Sequence, residues 1–283
     1  MPELPEVESV RRYLAKALEN RTLVRIEPLF PGVFSVPKAG NSPQLPSRFE
    51  EVGRKGKMLA LRCEQDQVLL VHLRMTGRLY FPESRKCLVP HTHVLFHFRD
   101  GSLLAYSDPR RFGRLIWHVG NAPDDLPELR AMGPDALDLA LKDFLPLLGS
   151  RNRMIKPLLL DQSVLAGLGN IYVDETLFLA GIHPKQLCAN LSKEKLTRLW
   201  EAIDQVLKQA IEVGGSTIRD FVGSSGETGG YQDRHSVYGR GGLECVKCGG
   251  TLRRILVSQR GTTYCPGCQP LRSRRKKRRC LNR

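Results

Sequence analysis

Pro2, Glu3 and Glu6 are the residues best placed by type and spacing to do chemistry, because they set an amine beside two carboxylates. A methionine ahead of a residue as small as proline is normally trimmed, which leaves Pro2 a free secondary amine. A free α-amine has a pKa of about 8, so a sizeable fraction is uncharged near neutral pH. An uncharged amine attacks an aldehyde-like carbon and gives a Schiff base. Proline's version is a charged iminium, a good electron sink, and a nearby carboxylate can move the protons that such chemistry needs. The same string also opens a helix, since proline and acids are favoured in a first turn, and taken alone it reads first as that.

A second constellation is metal-binding. Cys245-Val246-Lys247-Cys248 and Cys265-Pro266-Gly267-Cys268 are two Cys-x-x-Cys pairs with sixteen residues between them. That spacing suits a Cys₄ zinc site, in which four thiolates close a tetrahedral structural centre. Disulfides are the alternative, disfavoured in a reducing compartment. Strands are expected at Leu252–Val257 and Thr262–Tyr264, which makes the segment a hairpin carrying Arg253, Arg254 and Arg260. The other cysteines, Cys63, Cys87, Cys188 and Cys280, are scattered.

Weaker signals lie between these two. In Ser107-Asp108-Pro109-Arg110-Arg111-Phe112-Gly113, two arginines precede an aromatic, offering charge for phosphate and a plane for stacking. Lys57 follows Gly53-Arg54-Lys55-Gly56 and by itself reads as a solvated lysine on a turn; Met75, at a strand end, reads as core filler. His91 and His93 form a His-x-His that lacks further ligands for a metal. Gly167-Leu168-Gly169-Asn170 before a helix can present backbone N–H groups to a phosphate, although a glycine helix stop accounts for Gly167 equally well.

The elements that must position these groups follow from periodicity. An amphipathic helix is expected over 5–19, from Val7, Val10, Leu14 and Ala17 or Leu18. Strands are expected near 22–30, 57–62, 68–73, 93–99, 102–106 and 113–118, with a tight hairpin at Asp100-Gly101. Residues 119–135, rich in Gly and Pro, read as an interdomain linker. A helix over 192–214 has Ser192 as N-cap and Gly214-Gly215 as its stop, and residues 222–236 read as a mobile loop. The fold class is α+β. It comprises an N-terminal β-sandwich with a helix laid on it (1–132), a helical domain (133–240), a zinc ribbon (241–270) and a basic tail (271–283).

Composition narrows the function class. A net charge of +15 points to a polyanion as partner. Eight of the positive charges fall in 271–283, which has no acidic residue, and the rest of the chain still carries an excess of seven. No stretch approaches the roughly 18 apolar residues of a membrane helix. Glu3, Glu6 and Glu8, with no apolar block, give no expectation of a secretion signal. An intracellular, cytoplasmic, monomeric protein is expected.

The string Met1-Pro2-Glu3-Leu4-Pro5-Glu6-Val7-Glu8 resembles the N-terminus of the formamidopyrimidine-DNA glycosylases, bacterial repair enzymes for oxidised purines, and the resemblance runs to about Gln269. It implies a bifunctional glycosylase/AP lyase acting on double-stranded DNA with oxidised purines or abasic sites. Pro2 would be the nucleophile, Glu3 the proton carrier, and Glu6 and Glu175 supports of the site. Lys57, His91, Lys156, Asn170 and Arg260 would hold phosphates and the target nucleotide. Met75, Arg110 and Phe112 would fill the hole left by a flipped base, a step needed because a base inside a duplex cannot be attacked in place. Lys156–Tyr172 resembles the helix–two-turns–helix motif. The loop 222–236 would close over the extruded base, with Arg219 and Tyr238 as flanking contacts. Zn²⁺ would build the finger and do no chemistry. The basic tail departs from the family, whose members usually end soon after the last zinc cysteine. The nearest alternatives are the endonuclease VIII-like enzymes for oxidised pyrimidines and a non-catalytic zinc-ribbon DNA binder. Leu4, where the former tends to have glycine, and the Met75, Arg110, Phe112 trio argue against the first of these.

Overall fold

The computed structural model describes residues 2–37, 42–120, 125–149, 151–216 and 229–271. The basic tail beyond Leu271, Arg219, Cys280 and residues 222–228 of the expected loop 222–236 lie outside these residues. The chain forms two compact units: Met1–Leu137 with Leu165–Leu168 and Leu207–Arg234, and Asp138–Val164 with Gly169–Val206 and His235–Arg283.

The first unit begins with α1 (Leu4–Ala17), two residues off the expected bounds at its C-terminal end and one at its N-terminal end. Pro5 falls in its first turn, and Glu3 and Glu6 form a reciprocal capping box that satisfies two otherwise orphaned N–H groups. Val7, Val10 and Leu14 turn one face into the core. The strands are β1 (Thr22–Pro28), β2 (Phe34–Ser35), β3 (Ser47–Lys55), β4 (Met58–Cys63), β5 (Gln67–His72), β6 (Arg78–Tyr80), β7 (Thr92–Phe98), β8 (Leu103–Ser107) and β9 (Arg114–Val119). They run in the order β2-β9-β5-β4-β3-β1-β7-β8-β6. The expected sandwich is present as two halves, β2-β9-β5-β4-β3 and β1-β7-β8-β6. Its halves join through a short β1–β3 ladder, Thr22↔Arg48 and Leu23↔Ser47, and share one core with α1. Trp117 is fully buried in that core, and its indole N–H donates to Gln67 Oε1 at 3.1 Å. The Asp100-Gly101 hairpin is present, with Gly101 in a left-handed conformation.

The stretch 119–135 is less of a linker than its composition suggests. Pro127–Arg130 is helical (α2), Leu126 and Leu129 pack with Met58, Val68 and Leu70, and Asp135 is buried. Leu126, next to Pro127, and Leu129, two residues beyond it, draw the segment into the core.

The second unit holds α3 (Leu141–Gly149), α4 (Ile155–Leu160) and α5 (Asn170–Leu179), with α6 (Lys193–Glu212) beginning in it. Ser192 Oγ accepts the Lys195 N–H (3.3 Å), as expected of an N-cap. The ribbon is an antiparallel hairpin of β10 (Arg253–Val257) and β11 (Arg260–Tyr264), with Val257 opposite Arg260. Among the described residues no helix is long and apolar enough to cross a membrane.

Candidate active site and nucleic-acid interface

In the first unit the segment Pro2–Glu6 is held from two sides. Pro2, Glu3 and Glu6 are all buried. Glu6 Oε2 accepts the Glu3 N–H (2.7 Å) and its Oε1 accepts the Ser216 N–H (2.6 Å). The Leu4 N–H donates to the Gly167 carbonyl at 3.1 Å. Two glycines permit this approach. Gly167 and Gly215 sit at φ 114° and 81°, and a Cβ on them would meet Leu4 Cδ1 at 2.4 Å and Glu6 Oε1 at 2.5 Å. Glu3 and Glu6 therefore have fixed positions against the start of α1, where the helix dipole also favours negative charge.

Lys57 is not the solvated turn lysine its context suggests; it is buried at the start of β4. A charged network fixes the turn before it. Glu8 on α1 accepts from Arg11, Arg12 and Arg54, the last at 3.1 Å. Arg54 also donates to the Gly56 carbonyl (2.9 Å) and to Asp135 (2.6 Å), whose same oxygen takes the Gly56 N–H at 2.6 Å. Burial alone would raise the Glu8 pKa, but the three guanidiniums outweigh it and bring it down to about 2.

Two loops carry the expected void-filling trio. Met75 is half-buried in the turn after β5, whereas Arg110 and Phe112 are exposed between β8 and β9. The Arg110 guanidinium lies 4.9 Å from the centre of the Phe112 ring, a cation–π contact, and Arg111 lies over Phe30 instead, at 4.3 Å. His91 is exposed in a left-handed conformation (φ 62°) and makes no metal cluster with His93, whose Nε2 bonds the Asp108 carbonyl at 2.9 Å.

In the second unit, Lys156, expected on a phosphate, is held from within the protein. It is fully buried, with Nζ 2.6 Å from Asp174 Oδ1 and 3.3 Å from the Gly261 carbonyl. An ammonium this deep is stable only when paired, so the ion pair claims it. Asp174 Oδ2 accepts the Thr263 N–H at 3.0 Å. Burial pushes the Asp174 carboxyl up to about 6, and Lys156 pulls against that rise. Asn170, the first residue of α5, donates to the same Gly261 carbonyl (2.9 Å), leaving Oδ1 buried without a partner. These contacts fix the hairpin beside the exposed Arg260. Glu175, expected near the active site, is buried and takes three backbone N–H groups, from Ser236, Val237 and Tyr238, at 2.7–2.9 Å.

The four grouped cysteines fit zinc. Their sulfurs lie within 4.8 Å of one another, with Cys245–Cys268 at 3.9 Å and Cys248–Cys265 at 3.5 Å. Tetrahedral Zn–S bonds of about 2.3 Å would put the sulfurs roughly 3.8 Å apart. The N–H groups of Lys247 and Cys268 point at Cys245 and Cys265 sulfurs (3.4 Å each), which helps to hold the sulfurs as thiolates. Cys63 and Cys188 are buried and Cys87 is exposed, all as free thiols.

Three family models match the chain in sequence order. The formamidopyrimidine-DNA glycosylase N-terminal domain matches residues 1–115, the H2TH domain of the same glycosylase 131–222, and a zinc finger found in FPG and IleRS 242–271. The chain belongs to the formamidopyrimidine-DNA glycosylase family. The glycosylase of Heliobacterium modesticaldum is 43% identical over 276 residues, covering 95% of this chain and all of that one. That of Enterococcus faecalis is 40% identical over 281 residues, 98% of this chain and all of the relative. Among solved structures, the Thermus thermophilus protein superposes with a TM-score of 0.84 at 39% identity, over 96% of this chain and all of that one. The Lactococcus lactis enzyme bound to abasic-site DNA gives 0.85 at 34%, over 95% of this chain and all of that one.

For this member of the formamidopyrimidine-DNA glycosylase family, sequence reasoning passed over several positioning groups. His72 sits opposite Met58 and accepts the Arg74 N–H at 3.1 Å. Burial, then the charges of Arg74 and Lys57, pulls its pKa down to about 4, so its imidazole is neutral at working pH. It lies in His72-Leu73-Arg74-Met75, so a histidine beside a basic residue was the available signal. Arg54, Asp135 and Asp174 carried no local signal, because their charged partners are far away in sequence.

Proposed function

We propose that the chain is a bifunctional DNA glycosylase/AP lyase that removes oxidised purines, such as 8-oxoguanine and formamidopyrimidines, from double-stranded DNA. Pro2, freed of Met1, attacks C1′ of the damaged nucleotide and forms a C–N bond as the base leaves. Glu3 protonates the sugar ring oxygen, then takes and returns protons during elimination. The iminium drives β- and then δ-elimination, cutting the strand on both sides, and hydrolysis returns the amine. Glu6 holds the register of Glu3 through its N–H. Lys57, His91 and Arg260 contact phosphates; Lys156 and Glu175 act on the interface from behind, by fixing Gly261 and residues 236–238. Asn170 serves a phosphate when its amide leaves Gly261. Met75, Arg110 and Phe112 occupy the vacated stack. Zinc, held by Cys245, Cys248, Cys265 and Cys268, supplies a rigid hairpin and no chemistry. The assignment of a catalytic domain at 1–132, a helical domain at 133–240, the finger at 241–270 and a DNA-attracting tail belongs to the same reading, as does work on the nucleoid in a bacterial cytoplasm.

The observation that carries this reading is the buried bracket of Glu3 and Glu6 behind Pro2 in a chain of this family. Borohydride trapping on an oxidised-guanine duplex tests it. A covalent complex attached at Pro2 is expected, and none from protein that keeps Met1, because an amide nitrogen has no nucleophilic lone pair. Equal trapping by the Met1-retaining form would transfer the role to a lysine.

A further inference from the structure

Asp108 is wholly buried, yet it takes no part in the chemistry above. Its carboxylate sits between the two loops that carry Met75, Arg110 and Phe112. Oδ1 accepts the Thr76 hydroxyl and, at 3.3 Å, the Arg110 N–H. Oδ2 accepts the Gly113 N–H at 2.7 Å and the Tyr106 hydroxyl at 3.3 Å. The Arg110 N–H is shared with Thr76 Oγ1, also at 3.3 Å. The Asp108 main chain is used as well: its N–H donates to the His91 carbonyl at 3.0 Å, and its carbonyl faces His93 Nε2. One side chain thus reaches the residue after Met75, the backbone of Arg110 and the residue after Phe112.

The loops need such a hold. Arg74 and Arg111, one in each, stand at φ 56° and 57°, a conformation that non-glycine residues keep only where the surroundings over-determine it. The packing around the clasp is tight. A Cβ on Gly113 would fall 1.7 Å from the Tyr106 hydroxyl, and one on Gly77 would fall 2.4 Å from it.

We propose that Asp108 is a specificity-positioning residue, which locks the Met75 turn to the Arg110–Phe112 loop so that Arg110 meets the orphan base in one fixed pose. The inference rests on the glycosylase reading and on Arg110 reading that base. Cytosine presents two acceptors, N3 and O2, to a guanidinium that has only donors. Adenine presents N1 beside the N6 amino donor, so one arginine N–H meets another donor. Discrimination of this kind requires a guanidinium that does not swing, because a mobile one finds a single acceptor on either base.

Single-turnover excision of oxidised guanine opposite cytosine and opposite adenine is the measurement, read as the ratio of the two rates. A general loss of folding lowers both rates together and leaves the ratio unmoved, so the ratio isolates positioning. Arg110→Ala is expected to lower it by roughly 5- to 150-fold, the range of one bidentate base contact. Asp108→Ala should approach the same loss. Asp108→Asn should fall between, since its amide oxygen still serves Gly113 while its NH₂ faces the Arg110 N–H. Thr76→Val should lose the preference and Thr76→Ser, which keeps the hydroxyl, should retain it; this pair decides the matter if Asp108→Ala does not fold. Should Arg110→Ala hold the wild-type ratio, the reading of Arg110 fails and the inference with it. Should Arg110→Ala lose the ratio while Asp108→Ala, or Thr76→Val, keeps it, the reading stands and the role of Asp108 is overturned.

Discussion

Two edges of the molecule carry the groups assigned to chemistry and to phosphate, and they are built on opposite plans. At the N-terminus the reactive residues are set by their own helix: Glu3 and Glu6 lie three residues apart and cap each other, with Ser216 as an outside tie. The hairpin edge of the second unit is assembled from distant pieces. Lys156 reaches Asp174 across 18 residues, Asp174 reaches Thr263 across 89, and Asn170 reaches Gly261 across 91. A locally set group keeps its geometry when distant parts are damaged. A group assembled from afar is only as well placed as its weakest tie. The geometry of Glu3 and Glu6 should therefore survive insults that erase that of the hairpin.

Metal removal is the strongest way to break that contrast. Structural zinc sites contribute about 10–16 kcal/mol to folding of their finger, more than a short two-stranded hairpin can supply by itself. Purified protein is expected to hold about one zinc per chain. Cys248→Ser should release it and weaken duplex binding sharply, while the helix and sheet of the first unit keep their cooperative melting. Metal-free protein with full activity would refute the ribbon, and loss of the first unit's melting on Cys248→Ser would show that the two edges are not independent.

The buried pair comes next. Removing one partner of such a pair costs about 3–5 kcal/mol, whereas replacing both by apolar groups of similar volume is often neutral or stabilising. Lys156→Met should lower the stability of the second unit by that amount and weaken DNA binding through the loosened hairpin. Lys156→Met combined with Asp174→Leu should recover much of the stability but not the binding, because the Thr263 N–H is left untied and the Gly261 carbonyl keeps only its bond from Asn170. Denaturant melts paired with duplex titrations separate the two. If the double variant also binds like wild type, Lys156 and Asp174 do not position the hairpin.

The same contrast decides how much was legible in the sequence. Pro2-Glu3-Leu4-Pro5-Glu6 and the two Cys-x-x-Cys knuckles advertise themselves because their partners lie within three residues. The hairpin at Asp100-Gly101 and the helix behind Ser192 were legible for the same reason. Strand β3 was not expected. Its Glu50, Glu51, Arg54 and Lys55 look like a solvated turn, and its register breaks between Phe49 and Glu51, which spoils the alternation that marks a strand. Arg54 is buried only because Glu8 and Asp135 arrive from 46 and 81 residues away. Lys156 was legible only through its resemblance to a motif of phosphate contacts; its ion pair with Asp174, one turn into the next helix, had no local signal.

Glu8 gives the smallest effect and the finest test, because it joins the two plans. Its bonds to Arg11 and Arg12 are local and its bond to Arg54 is long-range. The folded pKa, about 2, lies below the ordinary 4.5, so folding favours the ionised form. The stability it contributes is therefore complete above about 4.5 and is lost as the pH falls from there toward 2. Glu8→Gln should lower the melting temperature near neutral pH, chiefly by leaving the buried Arg54 with Asp135 as its carboxylate partner; the helical pairs with the more exposed Arg11 and Arg12 contribute only about 0.3–0.5 kcal/mol each. It should also flatten the fall in stability between pH 4.5 and pH 2, bringing the variant and wild-type curves together at the acid end. Comparison with Arg54→Met apportions the effect. If the acid limb of Arg54→Met matches that of Glu8→Gln, the long-range bond carries it and the turn before Lys57 loosens in both. If Arg54→Met keeps the wild-type limb, the local pairs with Arg11 and Arg12 suffice, and the Lys57 turn is held by Asp135 alone. Thermal melts of the three proteins across that pH range distinguish the two outcomes.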